Sequence, residues 1–259
     1  MHGEGPIGSL GFEDLRRALR LANELRDLPR GSEVQRRHAL SGLCALVGAR
    51  IGLWVELSGL RSGRVVLGES LGVGWETEGQ HLGFSHYVGS AQRRSEDPSL
   101  PRFAKVSADP VATVTRRQLL DDREWYGSEH VQEFRRGGNV DDFIYTAFRT
   151  GPDTACAIAL HRSWGDRQYN ERERRLIDVV HAECAFLHRP PEVPAALLAG
   201  LSPRLRATLQ GLARGLSEKE IAAELRISQH TVHDYVKTLH RHFGVQSRGE
   251  LLAVCLGQR

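Results

Sequence analysis

His230, His233, Asp234, Lys237 and Arg241 are spaced by steps of three or four, so a helix would gather them on one polar face. Val232, Tyr235 or Val236, Leu239 and Phe243 would then form an inward stripe at the same spacing. Such a helix has one side that can meet a polyanion and another that a core can hold. Two other groups of residues invite chemistry and offer less. His181, Cys184 and His188 fall at i, i+3 and i+7 and have the side chains of a transition-metal site. No second cluster at ligand spacing accompanies them, and Cys184 belongs to an apolar stripe, so no metal is expected. Gly68, Gly72 and Gly74 lack the strand and helix setting of a phosphate-cradling loop. With no nucleophile and base at motif spacing either, the sequence predicts neither catalysis nor a cofactor.

The charge is unevenly divided. Beyond Gly200 there are nine Lys or Arg against five Asp or Glu, a net +4, whereas residues 1–200 carry −1. A small basic module behind a near-neutral larger one fits a polyanion binder joined to a domain with another task. Hydrophobic residues are 40% and charged residues 26% of 259, a globular balance long enough for one or two domains. The longest apolar stretches, such as 39–47, are broken well before the roughly 20 residues needed to cross a bilayer. Residues 1–10 lack the basic region and apolar core of a signal peptide, so a cytoplasmic location is expected. Cys44, Cys156, Cys184 and Cys255 form no CxxC pair and read as buried free thiols.

Three prolines, Pro190, Pro191 and Pro194, stand within five residues, which removes amide donors and stops a helix. The expected organisation is therefore a domain at 1–188, a linker at 189–200 and a second domain at 201–259. In the second, Ser202-Pro203 opens a helix carrying Leu205, Leu209, Leu212 and Leu216 and ending near Gly215. Ser217-Glu218-Lys219-Glu220 is a capping box for a short helix with Ile221, Ala222 and Leu225. Ser228 starts a third helix that stops at Gly244, and Ser247 to Glu250 start a fourth.

A short helix, a tight turn and a longer helix with a basic outer face are the plan of a helix-turn-helix. Residues 201–259 resemble the LuxR-type helix-turn-helix. The resemblance lies in Leu201-Ser202-Pro203-Arg204, Gly215 to Ala222, Ile227-Ser228 with Thr231-Val232, and Phe243-Gly244-Val245 with Ser247-Arg248. The chain departs from that family at Leu205, commonly an acid, at His233, commonly a basic residue, and at Tyr235, commonly a histidine. The resemblance implies duplex DNA as partner and a DNA-facing set of Lys219, Gln229, His230, Thr231, Val232, His233, Asp234, Lys237 and Arg241. Lys219, Lys237 and Arg241 suit phosphates, Gln229, His230 and Thr231 suit base edges, and Val232 suits a thymine methyl.

The first 190 residues suggest two helices, a hairpin through Ile51 to Leu57 and Val65 to Leu67, an irregular region at 68–110 with one helix, and a helix at 129–136. A second hairpin, Phe143 to Arg149 with Ala155 to His161, and a helix capped by Asn170 complete the domain. The predicted class is an α+β domain with an antiparallel sheet flanked by helices, similar to GAF-like or PAS-like sensor modules, followed by an all-α four-helix domain. Asp109-Pro110 followed by Trp125 resembles part of the signature of the acyl-homoserine-lactone binding domain, but the aromatic pair expected before it is absent. Candidate pocket residues are Trp75, Phe84, Phe103, Trp125, Tyr126, Phe143 and Tyr145, of which Phe143 is more simply read as core. The expectation is a transcription regulator, a homodimer, whose first domain senses a small molecule or a protein partner. The alternative is an interaction adaptor whose helix-turn-helix no longer binds DNA.

Overall fold

The computed structural model describes residues 9–61, 65–106, 110–188, 193–214 and 216–255. The prolines at 190 and 191, Gly63, Asp109 and Gly215 lie outside the described residues. The chain forms two compact units divided after His188.

The first unit opens with α1 (Phe12–Asp27) and α2 (Glu33–Val47). The Ser32 hydroxyl caps α2 by accepting from the Gln35 amide, and Gly48 closes it at φ +66°. On α1 the apolar Phe12, Leu15 and Leu19 are exposed, and Asp14, Ala18, Leu21, Ala22 and Leu25 are buried. Two contacts select that face. Leu21 occupies the space a Cβ at Gly42 would need, and the Asp14 carboxylate pairs with Arg172.

Next come β1 (Ile51–Ser58), β2 (Val66–Val73), α3 (Glu78–Gly89), α4 (Ala91–Glu96), α5 (Leu100–Phe103) and β3 (Val111–Thr115). The stretch expected to be irregular thus holds most of β2 and three short helices. β3, five residues long and paired only with β4, has too little pattern of its own to stand out in the sequence. After α6 (Arg116–Leu119) and α7 (Asp122–Gly127), the helix expected at 129–136 is wound as a π-helical turn over Val131–Arg135. β4 (Phe143–Arg149), β5 (Thr154–His161) and α8 (Glu171–Glu183) complete the unit. The sheet is antiparallel throughout, in the order β2-β1-β5-β4-β3.

Alternation along the strands separates the two faces of this sheet. Trp54, Ile144, Cys156, Ile158 and Leu160 join a core with Leu25, Leu40, Leu43, Leu176 and Ile177, which come from α1, α2 and α8. Leu53, Val55, Phe143, Tyr145, Ala157 and Ala159 point the other way. On that side Ala159 stands between Leu53 and Tyr145 across the ladder, and Ala157 between Val55 and Ala147. Small side chains on the central strand leave room above it.

Polar groups tie α8 to the sheet. Asn170 and Glu173 form a reciprocal capping box, and the buried Glu173 carboxylate accepts from Arg162 at 2.7 Å and Arg167 at 2.5 Å. Thr113, Thr146, His181 and His188 form a chain of three hydrogen bonds, each 2.7 Å long.

The second unit contains α9 (Ala195–Leu198), α10 (Pro203–Ala213), α11 (Glu218–Leu225), α12 (Gln229–Phe243) and α13 (Arg248–Cys255). α9 falls within the stretch expected to be linker. Ser202, Ser217, Ser228 and Ser247 each accept from the amide three residues on, so every one of the four later helices has its serine cap. Leu209, Leu212, Ile221, Val232, Leu239 and Leu251 fill the core. Gly211 brings α10 and α11 together, because a Cβ there would stand 2.8 Å from Cγ1 of Ile221. No helix among the described residues is long and apolar enough to cross a membrane.

Candidate nucleic-acid interface and a cavity above the sheet

In the second unit α12 divides as its spacing demands. Val232, Val236 and Leu239 are buried, whereas Gln229, His230, His233, Asp234, Lys237 and Arg241 are exposed on the other side. Thr231 is half-buried, with Oγ1 2.8 Å from the Ser228 hydroxyl in the first turn. Lys219 is exposed on α11. Between the two helices, His233 Nδ1 lies 3.3 Å from a Glu218 carboxylate oxygen, and along α12 His230 Nε2 lies 3.7 Å from Asp234. Arg241 donates to the Thr238 hydroxyl at 3.3 Å. Arg226, left-handed at φ +53°, ends α11 and begins the turn. Val232 requires a correction. It has no exposed surface, so its methyl groups belong to the core and cannot reach a thymine.

Such a surface presents ammonium, guanidinium, imidazole and amide groups on one helix braced by leucines. It can neutralise phosphates and donate to base edges, and two acidic groups, Glu218 and Asp234, limit its positive charge.

In the first unit a cavity of about 790 Å³ lies over the second face of the sheet. Trp75, Phe84, Phe103 and Tyr145 line it, together with Leu53 and Val55 from β1 and Ala157 and Ala159 from β5. Trp125 and Tyr126 do not. Trp125 is wholly buried and donates from its indole to Asp141 at 3.2 Å, and the Tyr126 hydroxyl donates to the same carboxylate at 3.1 Å. Their role is to pack: Trp125 meets Phe143 edge-on at 5.5 Å between centroids.

Arg135 and His161, which line this cavity, and Asp97, which pairs with Arg135, were not singled out in the sequence. Asp97, followed by Pro98, accepts from Tyr87 at 2.8 Å, from the Ser99 amide at 2.9 Å, from the Ser99 hydroxyl at 2.6 Å and from Arg135 at 2.7 Å. Arg135 also donates to the Tyr145 hydroxyl at 2.8 Å. Burial alone would raise the Asp97 carboxyl, but Arg135, Ser99 and His130 outweigh it and hold it well below the usual carboxylate range. His161, from the end of β5, lines the same cavity, and burial aided by Arg135 holds its imidazole well below its usual range. Its Nδ1 has no hydrogen-bond partner. A helical run with Arg135 on its inner side and an Asp-Pro pair beforehand were the available signals, but which side is inner depends on a π-helical turn that periodicity does not reveal.

Among the described residues no group of three or more His, Cys, Asp or Glu is placed to hold a metal ion. His181 and His188 instead share the hydrogen bond between their Nε2 atoms, and Cys184 lies in the core.

Residues 199–255 match the family model described as bacterial regulatory proteins, luxR family. A probable HTH-type transcriptional regulator of Streptomyces halstedii, GfsR, is 42% identical over 57 residues, 22% of this chain and 24% of that protein. The putative HTH-type transcriptional regulator y4qH of Sinorhizobium fredii (strain NBRC 101917 / NGR234) is 23% identical over 193 residues, 71% of this chain and 54% of its own length. The chain thus spans about half or less of these two curated relatives. A solved structure of SdiA in complex with octanoyl-rac-glycerol is 14% identical, with 95% of this chain and 96% of that one covered at a TM-score of 0.46. With its four capped helices and its matched span, the second unit of this chain is a LuxR-family helix-turn-helix domain.

Proposed function

We propose that this protein is a transcription regulator that binds duplex DNA through α12 and senses a small molecule in the cavity above its sheet. The observation that carries the reading is the exposed row of Gln229, His230, His233, Lys237 and Arg241, held outward by the buried Val232, Val236 and Leu239. Lys219, Lys237 and Arg241 position the domain on phosphates, and Gln229, His230 and Thr231, at the start of the helix, read base edges in the major groove. His233, beside Glu218, is a weaker phosphate contact than a permanent cation would be. The protein works as a homodimer on two half-sites in the cytoplasm, because one small helical module contacts few base pairs and pairing adds two modest affinities. It turns over no substrate.

Titration of the full chain against fluorescent genomic fragments tests this. Binding that weakens steeply and linearly in the logarithm of salt concentration, with some fragments preferred, is the expected result. If no fragment binds even at low salt, the regulator reading fails and the unit is an interaction module.

A further inference from the structure

The two sides of the cavity differ in kind. The sheet contributes a shallow floor, in which Ala157 and Ala159 lie beside Val55 and Leu53 with Tyr145 next to Ala159, whereas the other rings come from segments facing it: Trp75, in the loop before α3, stacks obliquely with Phe84 at 5.4 Å, and Tyr87 with Phe134 at 5.5 Å. Gly83 of α3 lines the same space, and a Cβ built there meets nothing within 4 Å. A flat floor opposite rings and bare backbone is a slot for a planar guest.

One end of the slot is polar. The Arg135 guanidinium lies over Trp125 at 5.3 Å and Phe143 at 5.6 Å, which fixes its plane. Its two hydrogen bonds to the protein both leave from Nη2, so Nη1 and Nε remain as donors. Asp97 is fully occupied by Tyr87, Ser99 and Arg135. His161 stands at the same end, its ring 5.9 Å from that of Tyr145. A carboxylate guest at this end would place a second anion near Asp97, and an ammonium would face Arg135, so a neutral guest leaves the Arg135–Asp97 pair undisturbed.

Resting on the sensor reading above, we infer that the cavity takes an uncharged aromatic molecule whose carbonyl oxygen accepts a hydrogen bond from Arg135, with His161 beside it. Arg135 is thereby a ligand-binding residue as well as the partner of Asp97.

Four probes of similar size separate the parts of this inference by equilibrium dialysis against the purified full chain: 2-acetylnaphthalene, 2-ethylnaphthalene, 2-naphthoate and 2-decanone. The ketone with the aromatic ring is expected to bind about five- to ten-fold more tightly than each of the others, a factor set by one hydrogen bond or one ring contact. Gly83→Leu should fold, since its Cβ meets open space, and should abolish binding by filling the slot. Equal binding of 2-decanone overturns the aromatic class, equal binding of 2-naphthoate overturns the neutral class, and equal binding of 2-ethylnaphthalene removes the role of Arg135. Each of these three results leaves a small-molecule cavity in place as long as Gly83→Leu still blocks it. If none of the four probes binds, the ligand inference and the sensor reading fall together. If Gly83→Leu does not fold, the order of the four affinities on the unaltered chain still decides the class.

Discussion

Arg135 and Asp97 form a buried ion pair at 2.7 Å in which each side chain also hydrogen-bonds to neighbours, Tyr145 on one side and Ser99 and Tyr87 on the other. The pair joins the π-helical turn to the segment after α4, so the cavity has one wall whose geometry is set by charge and another set by the sheet.

Arg135→Met should strip Asp97 of its counter-charge and destabilise the first unit by about 3–5 kcal/mol, read as a lower urea midpoint. The double variant Asp97→Asn, Arg135→Met should recover part of that loss, since no lone charge is left buried. Because the folded-state pKa of Asp97 lies below its unfolded value, the pair's contribution is complete above the ordinary carboxylate range. It is lost as pH falls through the folded value, and the double variant should lack that acid-dependent component.

Histidines add an acid dependence of their own. Burial brings His188 down to about 4 and His181 well below the usual range, so the folded protein binds fewer protons than the unfolded chain between about pH 6.5 and 4. Stability should therefore be undiminished above about pH 6.5 and fall by about 1.4 kcal/mol per unit for each such group as pH drops through that window. Chemical denaturation of His188→Phe across the window should give a shallower decline; an unchanged slope would show that this imidazole does not contribute.

On the DNA side, Lys237→Ala should weaken binding to every sequence and reduce the salt slope by about 1, as loss of one phosphate contact requires. Gln229→Ala should leave the slope alone and cost about 1–3 kcal/mol on preferred sites only. Equal losses for both variants on preferred and random fragments would refute the division of roles.

Val232→Ala distinguishes core from contact. Its side chain is fully buried, so the substitution should cost about 1–3 kcal/mol of stability while the folded fraction keeps its base preference, measured by thermal melting beside anisotropy titration. A changed preference at thymines with unaltered stability would restore it to the interface.

The second unit was legible residue by residue because its signals are local. Each serine cap lies next to the helix it starts, Gly244 next to the one it ends, and the period of α12 separates Val232, Val236 and Leu239 from the polar row without help from elsewhere. Only where one residue was given two roles, Val232, did burial have to decide. The hairpin of β4 and β5 and the capped α8 were legible for the same reason.

Distance along the chain is what hid the rest. β3 exists through its pairing with β4, about thirty residues later, and the face that α1 buries depends on Gly42 and Arg172 rather than on its own apolar count. Trp125 and Tyr145 looked equivalent as candidate pocket residues, yet Asp141 draws the first into the core and Arg135 holds the second at the cavity wall. Sequence alone determined that a basic, capped helix-turn-helix follows an α+β domain, since caps, turns and amphipathic period act between near neighbours. Which side chains enclose the cavity was decided only by tertiary structure, because compensating a buried charge and filling a void depend on partners that approach each other when the sheet and helices pack.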